Sequence, residues 1–343
     1  MLRKIKNSLS HNKLDTLVEI AVGGVDQWLH IRGQKENNPL LLFLHGGPGA
    51  PHIGWFDKIQ RPWEEHFTVV QWDQRQTGKS YFSMSDLGHT MTNDQLIRDT
   101  ESVIDYLRDT FSTDKIFLMG TSYGTYLGMH MVKRRPEWLY AYIGVGQITH
   151  MLMHTANEYR LLLDHARSVK DQPLIDQLEA MAPYPNPQDK TGSFFNNILF
   201  LLDAESRLGK CYPLTIKQMI VMIRRRQWVS PLYNWRDLWH SYFGDAPATS
   251  YRGYPFGDEF VHIDIPKELG YHFDVPIFLF SGKDDWHISP ATTQGWFDAL
   301  ETPYKEQVWF NHSAHVPYMT EPDAFLSALV EKVLPLMAGE YIQ

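Results

Sequence analysis

Gly120-Thr-Ser-Tyr-Gly124 lies between an apolar run, Lys115 to Met119, and a helix-like stretch, Tyr123 to Arg134, that stops before Pro136. No other feature of the 343-residue chain constrains its fold as much. A strand that must turn sharply into a helix needs small residues on both sides of the turn. Such turns belong to folds in which strands alternate with helices. The first half of the chain keeps that rhythm. Leu17–Ala21 and Gln27–Arg32 read as short strands joined at Gly23-Gly24. Leu40–Leu44 is a continuous apolar run, the pattern of a strand buried on both faces, and Phe67–Trp72 is another. Asn93 to Arg108 carries apolar residues at 96, 97, 103, 104 and 107, a helical stripe that Asn93 or Asp94 could cap. Ala141–Val145 is one more strand. The expectation is an α/β fold, a mostly parallel sheet with helices on both faces.

The rhythm breaks between about Ile148 and Pro266. Helix-like stretches, the Pro-rich turn Ala182 to Pro187 and an aromatic group (Trp228, Tyr233, Trp235, Trp239, Tyr242, Phe243) fill this segment. Strands resume at Val275–Phe280 and Lys305–Phe310, and a helix follows from Pro322 to about Leu336. The division this implies is a sheet domain made of 1–147 and 267–343, with 148–266 inserted as a helical cap. Acidic residues number 40 and basic residues 32, a net charge of −8, which argues against a nucleic-acid partner. One cysteine, Cys211, excludes an internal disulfide and a Cys-rich zinc site, and reads as an inert thiol. Met1–Ser10 lacks the apolar stretch of a signal peptide, and the longest apolar runs are strand-length. A cytoplasmic protein with no membrane partner is expected, its oligomeric state left open.

The pentapeptide fits G-x-S-x-G in the strand-to-helix context of a nucleophile elbow, with Ser122 as the nucleophile. His45-Gly-Gly-Pro-Gly49 follows the strand Leu40–Leu44. In acyl transfer, one oxyanion donor is the N–H after the nucleophile, here Tyr123, and another comes from an earlier loop. Gly47 is the choice there, with Gly46 behind it; Pro48 has no N–H. The acid should follow the serine and the histidine should come last. Ser281 to Pro290 offers Asp284 and Asp285, and the G-x-x-D spacing favours Asp285. Asn311 to Pro317 offers His312 and His315, and His315 is favoured by its spacing to Glu321-Pro322. Other patterns fail. Gly78-Lys79-Ser80 has Asp73 where a phosphate-binding loop needs glycine, and His150 and His154 lack the glutamate of H-E-x-x-H. No metal or cofactor is called for.

With these residues in place, the chain resembles the α/β-hydrolase family of proline iminopeptidases. The resemblance rests on His45-Gly-Gly-Pro-Gly49, Asp73-Gln-Arg75 with Gly78 and Ser80, Gly120-Thr-Ser-Tyr-Gly124, Gly282-Lys-Asp-Asp285 and Ser313-Ala-His315. It implies a helical cap and release of an N-terminal residue, typically proline, from short peptides by an acyl-serine route. It also implies cap carboxylates that hold the substrate's free amine. Glu158 is the first candidate and Asp203 and Glu205 are rivals, though each reads more readily as a solvated helix-face charge than as a ligand. Gln76 departs from the family, which has glycine there. An aminopeptidase is the leading reading. A carboxylesterase or lactone hydrolase using the same triad is the alternative, and a catalytically silent binding protein is a remote third.

Overall fold

A computed structural model describes residues 14–47, 49–81, 88–186, 188, 193–225, 230–242 and 255–339. The sequence features at Met1–Ser10, Pro48, Pro187, Trp228 and Phe243 lie outside the described residues. β1 (Leu14–Val22) and β2 (Val25–Gly33) form a hairpin. Its two-residue turn needs positive φ at both positions, which Gly23 (58°) and Gly24 (82°) supply. β2 pairs antiparallel with β4 (Thr68–Asp73). From there the sheet is parallel through β3 (Leu40–Leu44), β5 (Ile116–Thr121), β6 (Leu139–Val145), β7 (Ile277–Gly282) and β8 (Lys305–Phe310). The order across the eight strands is β1-β2-β4-β3-β5-β6-β7-β8, so β5 runs through the middle.

Alternation decides which core each strand residue joins. Leu40, Leu42 and Leu44 pack with α1 (Asn93–Phe111) and α2 (Tyr123–Arg134) on one face. Leu41 and Phe43 pack with Trp63, Phe325 and Val333 on the other. Several boundaries differ from the sequence expectation, two of them for plain reasons. Thr92, not Asn93 or Asp94, caps α1, its side chain accepting from Gln95 N at 3.0 Å. Asn93 is instead buried and accepts from Tyr123 Oη at 2.9 Å. β7 begins at Ile277 because Pro276 has no N–H to pair; only its carbonyl joins the sheet, accepting from Tyr142 N at 2.9 Å.

Between β6 and β7 run the helices α3 (Met151–Val169), α4 (Gln172–Glu179), α5 (Ser193–Arg207), α6 (Ile216–Arg224), α7 (Trp235–Tyr242), α8 (Pro255–Val261) and α9 (Ile265–Leu269). No strand occurs there among the described residues. The outgoing and returning chains are joined by Met151 N to Ile263 O (3.0 Å) and Ile265 N to Thr149 O (2.8 Å). α3, α4 and α5 share a small core of Leu162, Ala166, Leu178, Leu201 and Ala204. After β7 come α10 (Pro290–Ala299) and, beyond β8, α11 (Pro317–Thr320) and α12 (Pro322–Ala328), which continues as π and 3₁₀ turns to Ala338. Among the described residues, no helix is long and apolar enough to cross a membrane.

Candidate active site

β5 ends in the turn that the pentapeptide requires. Ser122 stands at φ 50°, ψ −123°, just before the first turn of α2. That conformation costs on the order of 1–3 kcal/mol for a non-glycine residue, so the surroundings must impose it. They do so by close approach. A Cβ on Gly124 would strike the Leu44 carbonyl of β3, and one on Gly46 would meet the Ser122 side chain at 2.8 Å. Ser122 N donates to Val145 O at 2.9 Å, tying the turn to β6.

The loops after β7 and β8 bring two of the four acid and base candidates together. His315 Nδ1 and Asp285 Oδ2 are 2.8 Å apart, both side chains buried. A carboxylate can only accept, so the proton sits on Nδ1 and Nε2 is left as the acceptor face. Asp285 Oδ1 accepts from Ile288 N at 2.9 Å, so both oxygens are held. His315 Nε2 has no hydrogen-bond partner, and Gly146 lies flat against the ring, where a Cβ would fall 2.6 Å from Cε1. Asp284 instead pairs with Lys210 Nζ at 2.6 Å, its side chain about half exposed (48%). His312 is exposed, and its N–H donates to the Glu321 carboxylate.

Gly46, Gly47 and Ser122 line one cavity. Gly47 has φ 114° and is exposed, while Tyr123 is the first helical residue after Ser122. His45 sets the loop between them. Burial lowers its pKa to about 4, so it is neutral; Nδ1 donates to Gly46 O at 2.9 Å and Nε2 accepts from Gln74 N at 3.2 Å. The Asp73-Gln-Arg75 segment is equally fixed. Arg75 pairs with Asp99 at 2.7 and 3.0 Å, and Asp73 Oδ2 accepts from Tyr233 Oη (2.6 Å) and Lys79 N (2.9 Å). Gln76 takes φ 65°, the left-handed conformation that glycine adopts freely, and its N–H donates to Ser80 O at 3.1 Å. The missing glycine therefore costs strain of about 1–2 kcal/mol rather than the loop's shape.

The acidic candidates of the insertion divide differently from expectation. Glu158 on α3 and Glu205 on α5 are both 0% exposed, so neither is a solvated helix-face charge. Asp203, two residues before Glu205, is paired with Arg207. Glu158 Oε1 lies 2.8 Å from His287 Nδ1, and Glu205 Oε2 lies 4.0 Å from the same nitrogen. Burial pushes both carboxyls well above the usual carboxylate range, and Glu205 is raised further by Glu158. The His287 ring stands edge-on to His315, centroids 5.1 Å apart. Burial likewise raises the thiol of Cys211, whose carbonyl accepts from His315 N at 3.1 Å. Sequence reasoning missed His287, although it sits two residues after Asp285 in the same loop. His150 caps α3 and His154 is buried and neutral, its pKa lowered to about 3 by burial; Nε2 accepts from Thr149 N.

The cavity over Ser122 holds about 400 Å³. Its walls are mostly apolar: Trp55 and Phe56 from the sheet domain, Ile198, Leu202, Met219 and Phe260 from the insertion, and His287 at one side.

A buried elbow serine, a carboxylate-bound histidine and a mostly parallel eight-stranded sheet define an α/β hydrolase. The profile of the α/β hydrolase fold family matches residues 39–322, and the chain belongs to that family. Among similar proteins, one named "probable aminopeptidase" from Bacillus subtilis is 31% identical over 320 residues, covering 91% of this chain and 94% of that one. A proline iminopeptidase from Clostridioides difficile is 25% identical, covering 90% and 94%. The crystal structure of a proline iminopeptidase-related protein from Thermus thermophilus superposes with a TM-score of 0.65 at 17% identity, covering 94% of this chain and 99% of that one.

Proposed function

We propose that the protein is a serine aminopeptidase acting on short peptides, with residues 148–266 as a cap over the site. Ser122 Oγ attacks the scissile carbonyl and passes its proton to His315 Nε2. Asp285 holds the imidazole in the tautomer that leaves Nε2 free and stabilises the imidazolium that forms. The developing oxyanion sits between the N–H groups of Gly47 and Tyr123, which do not reorganise as charge appears. His315 then protonates the leaving amine, and water, activated by the same histidine, releases the acyl group from Ser122.

The observation that carries the peptide reading is the buried pair Glu158 and Glu205 beside His315. Three carboxyls, Glu158, Glu205 and Asp285, converge here on the imidazoles of His287 and His315. Buried carboxyls of this kind hold protons until a cation arrives. A substrate ammonium next to the scissile bond is such a cation, and the aminopeptidase name of the relative at 31% identity agrees with it.

A second reading, a carboxylesterase or lactone hydrolase, is favoured by the largely apolar cavity wall, in which His287 rather than either glutamate faces the open space. One comparison separates the two. A prolyl or alanyl arylamide with a free amine is expected to be cleaved about 30- to 5,000-fold faster than its N-acetyl form, the equivalent of about 2–5 kcal/mol for a lost charge-paired contact. Equal rates on both, or turnover of acyl esters alone, would replace the aminopeptidase by the esterase.

A further inference from the structure

Cys211 takes no part in the proposed reaction, yet its thiol faces the same acidic pocket. One ligand atom each from Glu205, Cys211 and His287 lies within 4.8 Å of the others, and all three residues are buried. Glu158 touches the same His287 nitrogen. Beyond the contact of the two carboxyls with each other, Glu158 Oε2 and both Glu205 oxygens have no hydrogen-bond partner, although the two side chains are fully buried. Unpaired buried carboxyl oxygens are costly unless something cationic can reach them.

We propose that Glu205, Cys211 and His287, with Glu158 alongside, form a binding site for a zinc-like divalent cation, and that the ion silences the hydrolase. The donor set decides the class of ion. One sulfur, one imidazole nitrogen and carboxylate oxygens suit a borderline-soft transition ion, whereas magnesium and calcium require oxygen donors. The spacing is close to what such an ion needs. Bonds of about 2.0–2.3 Å place neighbouring donors about 3.3–3.8 Å apart in a tetrahedron, and His287 Nδ1 and Glu205 Oε2 stand at 4.0 Å. His287 lines the cavity that contains Ser122, which gives the ion its way in.

Binding exchanges protons for metal. The Cys211 S–H bond breaks, a sulfur–metal bond forms and the proton leaves to solvent, as does any proton shared by the glutamates. His287 Nδ1 gives up its contact with Glu158, the proton held between them leaves to solvent, and the freed Nδ1 lone pair turns to the ion. The thiolate and carboxylates offset the charge of the ion, so its effect on the reaction is geometric: the His287 ring must turn to reach it, and that ring stands edge-on to His315, centroids 5.1 Å apart. The turn removes a wall that holds the His315 imidazole in place for proton transfer from Ser122. Neither the site nor its spectroscopic test depends on whether the substrate is a peptide or an ester.

Cobalt(II) titrated into the chelator-treated full-length protein tests the site. Cys211 is the only cysteine, so a thiolate-to-cobalt charge-transfer band in the near ultraviolet can arise from no other residue. One equivalent of cobalt is expected to develop the band, and zinc to abolish it by displacement. His287→Gln or Glu205→Gln should raise the half-saturating cobalt concentration by at least about tenfold, since even supporting groups around metal sites are worth roughly 10- to 100-fold. Cobalt binding with no such band, or no binding at a modest excess of ion, overturns the site. Because the parent protein alone gives that result, a Cys211→Ser variant that failed to fold would leave the test intact. Ser122→Ala should bind cobalt like the parent, which separates failure of the hydrolase reading from failure of this one. Zinc should slow hydrolysis of whichever substrate is turned over, reversibly with chelator; unchanged rates at saturating zinc would overturn the silencing.

Discussion

Two buried carboxylate groups lie side by side in this protein, and they are completed in opposite ways. Asp285, on the loop after β7, has both oxygens engaged, one by His315 and one by Ile288 N. Glu158 and Glu205, on helices of the insertion, have one oxygen engaged by His287 and the other three with no partner beyond the two carboxyls themselves. A satisfied carboxylate holds its neighbour in a single orientation, and that is the requirement on a group that fixes a histidine tautomer. An unsatisfied buried pair is a poor structural element, because desolvated carboxyls lose more than they gain unless paired. In both proposals above, the pair is a receptor for a cation, one that arrives with the substrate or one from solution. The sheet domain thus contributes rigid geometry, and the insertion contributes buried carboxyls with unused acceptor capacity.

Breaking the rigid half should have the largest effect. Ser122→Ala is expected to lower turnover by about 10⁶-fold, leaving roughly 10³-fold catalysis over water from binding and the oxyanion donors. Labelling by a fluorophosphonate probe should vanish with it; full activity or persisting label would show that another residue is the nucleophile. Asp285→Asn should cost about 10⁴-fold, because the amide favours the wrong histidine tautomer, and His315→Ala at least as much. Asp284→Asn and His312→Ala should stay within a few-fold of the parent, since one is paired with Lys210 and the other faces solvent.

The charged half should respond selectively. Glu158→Gln and Glu205→Gln are expected to slow cleavage of free-amine substrates by about 30- to 5,000-fold, while acyl esters are cleaved nearly as fast as before. A parallel loss on both substrate classes would mean that these glutamates only shape the fold.

Asp73 offers a stability test outside both clusters. Burial raises its carboxyl from 3.8 to about 7. A raised acid binds its proton more tightly when folded, so its stabilisation is full below about pH 4 and is lost as pH rises to about 7. The neutral buried histidines His45 and His154 act in the opposite sense, losing stabilisation as pH falls below 6.5. The informative quantity is therefore the difference between parent and Asp73→Asn in urea unfolding. It should shift in favour of the variant between pH 4 and 7, by no more than about 4 kcal/mol at roughly 1.4 kcal/mol per pH unit. The smallest effect belongs to Gln76→Gly. Relief of the left-handed strain is offset by the greater freedom of glycine when unfolded, so a change within about 1 kcal/mol is expected in thermal unfolding.

Much of the sheet domain was legible residue by residue. Tyr123–Arg134 and Lys305–Phe310 are the elements expected, and the elbow stands where G-x-S-x-G sits between strand and helix. Of the four acid and base candidates, Asp285 and His315 are the two that lie in contact. The insertion was not legible in the same way. Glu205 lies on a helix whose sequence, Ser-Phe-Phe-Asn-Asn-Ile-Leu-Phe-Leu-Leu-Asp-Ala-Glu-Ser-Arg, is apolar on several sides, so periodicity does not say which face is inward. Asp203 and Glu205 are two residues apart, yet one pairs with Arg207 and the other is sealed from water.

Periods of two and about 3.6, and glycines where backbones must touch, are properties of neighbouring residues, and they settled the strands, the helices and the turn at Ser122. Burial of a charge is a property of everything that surrounds it in space. Glu158, Glu205 with Cys211, and His287 come from three separate stretches of chain, and no local pattern records that they meet. Their low-dielectric setting, their protonation and their readiness for a cation arise only when α3, α5 and the loop after β7 close around them.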